Sequence, residues 1–374
     1  VLDRLRPRLE ASDILNALDW RTHGEGQALD ASEIADPDPS TVAYLQYTSG
    51  STRTPRGVMI THANLTHNLQ AIGHGPGSSP DTIAVCWLPL YHDMGLVGCL
   101  EVAYAGGHTI LLPPLHALQR PARWLEAISR FRAVRSGGPD FFYDLCARTI
   151  RDEERTRLDL SCWEVAVSGA ETVRADTIDR FVEVFGPVGF RRSTFRPAYG
   201  LAESTVYVTG TATSGPRIET VSRASLARGV AVVVPADDPD GRPLVSCGRP
   251  GREQHVIIVD PVRREPLPPG HVGEIWTRGP SVAAGYWAGP DETRETFDGR
   301  LAPENDGPYL RTGDLGFVLD DELFVTGRLK DVIIIRGANH AAEDIEATAT
   351  AAHPDLAGER CAAVALDIDG EERL

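Results

Sequence analysis

Short runs of β-branched and aliphatic residues alternate with stretches of helical period from about residue 40 to about residue 212. That alternation predicts α/β units around a largely parallel sheet. Strands are expected at 42–47, 83–88, 109–112, 163–167 and 194–198. Between them, the segment 122–131 places Leu125, Ile128 and Phe131 on one face, and 177–185 does the same with Ile178, Phe181, Val182 and Phe185. Both read as helices packed on the sheet. The segment Met94 to Tyr104 is rich in Gly, Val, Leu and Ala and suits a helix that is either core or the wall of an apolar cavity.

From about Ala212 the texture changes, with frequent Gly, Pro and Asp, and the runs 255–259 and 274–278 read as antiparallel strands. A β-rich subdomain over about 212–326 is expected. A hairpin at 320–326 is followed by a strand at 332–335, a helix at 343–351 and a strand at 361–366. The stretch after Lys330 is too short for a core of its own, and reads as the start of a small domain that is cut short.

The chain has 374 residues, enough for two or three domains. Its 37 basic and 53 acidic side chains leave a net charge of −16, which argues against a nucleic-acid surface and against adsorption to anionic lipid. No apolar run approaches the roughly 18 residues of a membrane helix, and the charged first residues lack a signal peptide's apolar segment. The expectation is a cytoplasmic protein with no stable membrane insertion. Six cysteines are scattered without metal-ligand spacing, so neither a disulfide framework nor a zinc site is indicated, and most are expected to be small buried hydrophobes. Lys330 is the only lysine; every other basic residue is arginine.

The segment Tyr47-Thr48-Ser49-Gly50-Ser51-Thr52-Arg53-Thr54-Pro55-Arg56-Gly57 reads as a loop between a strand and a helix. Its hydroxyls, glycines and backbone N–H groups suit phosphate oxygens, although it is not a Walker A loop, and a plain Ser/Thr/Gly turn explains it too. Further along stand Tyr199-Gly200-Leu201-Ala202-Glu203-Ser204-Thr205, Arg311-Thr312-Gly313-Asp314-Leu315-Gly316 and Gly327-Arg328-Leu329-Lys330-Asp331.

Taken in this order, the four motifs resemble those of the adenylate-forming superfamily of acyl-CoA synthetases and peptide-synthetase adenylation domains. Within it, the chain is most similar to the fatty acyl-AMP ligases. That resemblance is carried by Trp87-Leu88-Pro89-Leu90-Tyr91-His92-Asp93-Met94-Gly95-Leu96, Ser136-Gly137-Gly138-Pro139, Ser168-Gly169-Ala170-Glu171 and Phe195-Arg196-Pro197-Ala198, and continues through Gly285-Tyr286-Trp287 and Gly337-Ala338-Asn339-His340. Arg53 and Ala202, in place of glycine and threonine, also look like the acyl-AMP ligases. So does the long connection from about Ile218 to Ser246.

The resemblance implies a large N-terminal domain of α/β subdomains plus a β-rich subdomain over 1–328, its first subdomain incomplete. A small mobile α+β domain would follow over 329–374, hinged at Lys330. It implies that Thr48, Ser49, Gly50, Ser51 and Thr52 hold the β and γ phosphates of ATP, with Arg53 and Arg56 adding charge or merely pairing with acidic groups. Tyr199 would stack on adenine, with Gly200, Leu201, Ala202 and Ser204 in the same nucleotide motif, and Gly169, Ala170 and Glu171 would form the opposite wall. Glu203 would hold Mg2+, Asp314 would accept both ribose hydroxyls, and Arg328 would contact ribose or phosphate. His92 would gate the carboxylate at the acyl pocket formed with Asp93, Met94 and Gly95. The catalytic set is thus His92, Glu203, Arg328 and Lys330.

The activity implied is adenylation of a medium- or long-chain fatty acid by ATP, releasing pyrophosphate. Transfer to the phosphopantetheine thiol of a separate or fused acyl carrier protein would follow, in polyketide, lipopeptide or complex lipid synthesis. A CoA-using synthetase and a catalytically degenerate nucleotide-binding or docking module are the alternatives. Relative to the family, residues are expected to be missing before Thr48 and after Leu374, including the adenylation lysine.

Overall fold

In a computed structural model of the chain, residues 36–48, 55–74, 77–211, 215–335, 338–352, 361–364, 366–368 and 371–373 are described. Contacts divide the chain into Val1–Asp38 and Pro39–Leu374, and all elements named here lie in the second unit. An antiparallel hairpin comes first, β1 (Val42–Thr48) with β2 (Arg56–Thr61), Thr48 facing Arg56. This corrects the expected strand–loop–helix arrangement: the Ser/Thr/Gly segment joins two paired strands. The signal was a period of two, since Val58 and Ile60 are fully buried, but the run is short and a helix starts directly after it. That helix, α1 (His62–Gly73), opens with a capping box in which Thr61 and Asn64 exchange side-chain and backbone hydrogen bonds of 3.1 Å.

The next elements alternate as the hydrophobic pattern predicts. They are β3 (Ile83–Cys86), α2 (Asp93–Tyr104), β4 (His108–Leu111), α3 (Ala122–Phe131), β5 (Arg135–Gly138), α4 (Asp140–Thr149), β6 (Val165–Ser168), α5 (Ala175–Phe185), β7 (Phe195–Tyr199) and β8 (Thr209–Gly210). Strands β4, β3, β5, β6 and β7 pair in parallel in that spatial order, and β8 runs antiparallel to β7. One side of this sheet is sealed by aromatic packing: Trp124 meets Trp163 edge to face at 5.1 Å, and Tyr143 meets Phe181 at 5.2 Å. Ile178, Phe181 and Phe185 are fully buried there, as their spacing predicts. Phe131 is not: it lies in the last turn of α3, 38% exposed beneath the Arg130 guanidinium, and Trp124 fills the core with Leu125 and Ile128 instead.

The long connection contains an antiparallel ribbon, β9 (Ile218–Ser222) with β10 (Gly241–Val245). Strand β11 (Arg249–Pro250) then adds to β8 at the sheet edge. The β-rich part follows as β12 (His255–Val259), β13 (Gly273–Arg278), β14 (Gly299–Leu301), β15 (Asp306–Leu319) and β16 (Glu322–Arg328). They form one antiparallel sheet in the order β12, β13, β15, β14, with β16 on β15. The ribbon rests on it through Val221 and Leu244, which pack with Phe317 and Phe324, two rings stacked at 5.0 Å.

Beyond it lie the hairpin β17 (Val332–Ile335) with β18 (Ala338–Ala341), the helix α6 (Ala342–Ala351) and the hairpin β19 (Leu366–Ile368) with β20 (Glu371–Arg373). The strand expected at 361–366 is a correction, since 361–364 have no regular structure and the strand starts at Leu366. Only Cys146 and Cys247 are buried; Cys86, Cys99 and Cys162 are half-buried and Cys361 is exposed. Among the described residues no helix is long and apolar enough to cross a membrane.

Candidate active site

A cavity of about 1410 Å³ opens at the C-terminal ends of the parallel strands, where α/β sheets place their ligands. Tyr199, the last residue of β7, stands in its wall with only 8% of its surface exposed. Its hydroxyl donates to Asp314 Oδ2 at 2.8 Å. Asp314 comes from β15, and its register partner on β16, Arg328, approaches Oδ1 at 3.2 Å through Nε. Burial pushes the Asp314 carboxyl up, while Arg328 and the Tyr199 hydrogen bond pull it back. Both carboxylate oxygens therefore already accept one donor, and each keeps a second lone pair for a hydroxyl ligand.

The stretch of β15 carrying Asp314, where its register with β13 shifts, is held by residues of β13. Buried Glu274 accepts from Gly313 N at 3.2 Å and pairs with Arg311 at 3.2 Å, while Thr312 Oγ1 donates to the Ile275 carbonyl at 2.7 Å. Glu274 is a site-building residue that sequence reasoning missed, because its partners lie in another strand.

Glu203 sits in a single 3-10 turn, Ala202–Ser204, and lines the cavity beside Gly200, Leu201 and Ala202. Its Oε1 accepts from the Tyr286 hydroxyl at 2.7 Å, and the Arg56 guanidinium stands 5.3 Å from the Tyr286 ring centroid. Burial and the neighbouring carboxylate raise the Tyr286 hydroxyl far above its usual range, so it stays a donor. The motif Gly285-Tyr286-Trp287 was visible in sequence, yet nothing along the chain tied it to Glu203. Ser204 is fully buried outside the cavity lining, its hydroxyl without a partner among the described residues.

Gly169 and Ala170 line the cavity where β6 ends. A side chain at Gly169 would come within 2.8 Å of the Ala198 carbonyl oxygen, and Ala170 turns the chain with φ 66. Glu171 lies outside the lining; its carboxylate accepts from Phe141 N at 2.6 Å, in the first turn of α4. Thr48 lines the cavity at the end of β1, whereas Ser49, Gly50, Ser51, Thr52 and Arg53 lie outside the described residues.

His92 caps the N-terminus of α2 and lies in the same cavity as Asp93 and Met94. Its Nδ1 is 2.7 Å from Asp93 Oδ1, and that contact raises the imidazole's pKa above its ordinary value against the opposing effect of burial. Gly95 stays outside the lining because it packs against the Pro89 carbonyl, which a side chain would approach to 2.4 Å. Lys330 completes the cavity from a 3-10 turn, Leu329–Asp331.

The lining combines a buried aromatic, Tyr199, two carboxylates, Glu203 and Asp314, and the cations Arg56, Arg328 and Lys330, which suits a nucleotide with its phosphates. Among the described residues no three His, Cys, Asp or Glu side chains cluster as a metal cage.

A family model described as AMP-binding enzyme matches residues 3–287. Over 344 residues the chain is 47% identical to the medium-chain-fatty-acid–[acyl-carrier-protein] ligase JamA of Moorena producens, covering 91% of this chain and 58% of JamA. It is 43% identical to the long-chain-fatty-acid–AMP ligase FadD23 of Mycobacterium tuberculosis, covering 92% of this chain and 60% of FadD23. The crystal structure of fatty acyl-adenylate ligase from L. pneumophila, in complex with acyl adenylate and pyrophosphate, superposes with a TM-score of 0.77 at 42% identity, over 90% of this chain and 59% of that one. The chain thus spans little more than half the length of these relatives. With the α/β sheet, the antiparallel sheet beside it and the cavity between, the match shows that this chain belongs to the AMP-binding enzymes of the adenylate-forming superfamily.

Proposed function

We propose that the full-length protein activates a fatty acid with ATP, giving acyl-AMP and pyrophosphate, and passes the acyl group to the phosphopantetheine thiol of an acyl carrier protein. One observation carries this reading: Tyr199, Glu203 and Asp314 share one cavity with an apolar channel under α2, lined by Met94, Cys99 and Val102. The two substrates of an adenylation thus have adjoining places. The names of JamA and of the Legionella ligase support the same chemistry.

In the first step a carboxylate oxygen attacks the α-phosphorus and the bond to the bridging oxygen of pyrophosphate breaks. Like charges meet, so the protein's task is to position the reactants and supply positive charge. Tyr199 presents its ring to adenine, Asp314 accepts from the ribose hydroxyls, and Arg328 and Lys330 face the phosphates. His92, its proton favoured by Asp93, attracts the incoming carboxylate to the channel mouth. Glu203 offers one carboxylate, which fits an Mg2+ taking its other oxygens from phosphates and water; bound there, the ion would neutralise developing phosphate charge.

In the second step the carrier thiol, losing its proton, attacks the acyl carbon, and AMP leaves with the electrons of the broken C–O bond. The part after Arg328 would turn about Lys330 between the steps. The β9–β10 ribbon, resting on the sheet that holds Asp314 and Arg328, would restrict that turn to the carrier-bound arrangement. A cytoplasmic location and a role in polyketide, lipopeptide or complex lipid assembly belong to this reading.

The test follows the acyl group by mass spectrometry with the full-length protein, ATP, Mg2+ and dodecanoic acid, after adding CoA or the phosphopantetheinylated carrier. Acyl-AMP that survives CoA and transfers to the carrier is the expected result. Prompt acyl-CoA formation would replace the acceptor, and nucleotide binding without any acyl-AMP would reduce the protein to a binding module.

A further inference from the structure

The floor of the cavity is a row of side chains across the sheet. Register places Thr109, Ala84, Arg135 and Val165 side by side on β4, β3, β5 and β6, and all four line the cavity. Two residues further along the strands come Cys86, Gly137, Val167 and Arg196, and two further still Gly169 and Ala198, beside the nucleotide residues. Strands present every second residue to one face, and these residues share one, although Val85, Ser136 and Pro197 between them also reach the lining. The residues that come directly before this row, Ile83, Val134 and Glu164, do not line the cavity. From Gly169 to Val165 the channel is therefore four residues deep, about 13 Å at about 3.3 Å per residue.

Of that row only Arg135 is charged, and its partner Glu101 lies just outside the lining. Arg135 lies 3.5 Å from Glu101 of α2, with side-chain exposures of 13% and 3%. Glu101 is held further by Ser78, whose backbone N–H and hydroxyl donate to it at 3.1 and 2.8 Å. The Arg196 guanidinium turns to the same end of the sheet, donating to the carbonyls of Phe195 and Ser193. Above the floor the roof is α2, where Met94, Gly98 and Val102 recur at helical spacing over about 12 Å, the same depth as the sheet side.

We infer that the Glu101–Arg135 pair, with Arg196 beside it, is the chain-length stop of the acyl channel and selects acyl chains of about ten carbons, at about 1.25 Å of advance per carbon for bonds of about 1.5 Å. A longer chain would press its methyl end on the Arg135 guanidinium, which loses water with no return from an alkyl group and is held in place by buried Glu101. The inference rests on the proposed fatty-acid reading and adds the chain length to it. The relatives' names, medium-chain in JamA and long-chain in FadD23, leave that length open.

The test measures kcat/KM for acyl-AMP formation by the full-length protein across saturated acids. The value is expected to rise about fourfold per added methylene and to fall beyond about ten carbons. Replacing both charges, Glu101→Leu with Arg135→Leu, leaves neither partner unpaired. It should move the optimum to longer chains. Gly98→Leu is the second variant: a Cβ there meets nothing within 4 Å, so the added side chain enters the channel halfway down and should shorten the optimum.

A wild-type profile that keeps rising to palmitate, or active variants whose optimum does not move, would overturn the stop. A higher kcat/KM for dicarboxylic than for monocarboxylic acids would overturn it too, by making the floor a ligand for a polar tail. If the wild type adenylates no fatty acid at all, the fatty-acid reading falls and this inference with it. An absent optimum with active enzyme removes the inference alone.

Discussion

Tyr199 and Asp314, 115 residues apart in the chain, meet through a 2.8 Å hydrogen bond that ties the parallel sheet to the antiparallel one in the wall of the shared cavity. The phenol donates to a buried carboxylate, a charge-assisted bond worth about 1.5–3 kcal/mol. It locks the ring edge-on to the carboxylate while leaving the ring itself in the cavity wall.

Tyr199→Phe keeps the ring and removes the donor. Denaturant unfolding should show a loss of about 1–2 kcal/mol, with ATP affinity reduced only a few-fold. Tyr199→Ala should cost affinity tenfold or more, on the order of 1.4 kcal/mol. Equal affinities for the two variants would remove the stacking role.

Glu203→Gln retains an acceptor for the Tyr286 hydroxyl and deletes the charge. Acyl-AMP formation should fall by about a hundredfold, on the order of 2.7 kcal/mol, and half-saturation should need more Mg2+. Tyr286→Phe should act through position alone, with a smaller loss and an unchanged Mg2+ titration. A titration unaltered by Glu203→Gln would take the metal role away from this carboxylate.

Asp140 is 3% exposed, accepts from Arg174 N at 3.0 Å and Thr177 Oγ1 at 2.7 Å, and burial pushes its carboxyl up to about 7. The folded state then holds a proton that the unfolded chain releases near pH 4. The unfolded state binds fewer protons between about pH 4 and 7, so stability falls as pH rises through that window. Urea unfolding should find the protein less stable at pH 8 than at pH 5 by on the order of 1–3 kcal/mol from this group. Asp140→Asn should flatten that slope; an identical slope in the variant would assign it elsewhere.

Gly169→Ala puts a methyl 2.8 Å from the Ala198 carbonyl, between the ends of two paired strands. The strands must part by a few tenths of an ångström, at about 1–3 kcal/mol. Nucleotide binding should weaken with stability, because Tyr199 follows Ala198 directly. Full ATP affinity in a stable Gly169→Ala protein would show that this wall does not touch the base.

What the sequence determined by itself was local. The period of α5 buried Ile178, Phe181 and Phe185, and the runs at 255–259 and 332–335 became strands with those limits, because side-chain spacing and β-branching act within a few residues. The motifs around Tyr199, Glu203, Asp314 and Lys330 were equally plain, and one cavity gathers them.

Tertiary structure decided the rest. That 56–61 pairs with 42–48, that Glu203 meets Tyr286, that Glu274 supports the backbone beside Asp314, and that Arg135 pairs with Glu101 all depend on which elements become neighbours. Neighbours are chosen by burying apolar faces across the whole chain. Spacing along it carries no record of that choice, because a strand's alternation says which residues share a face and nothing about what lies opposite.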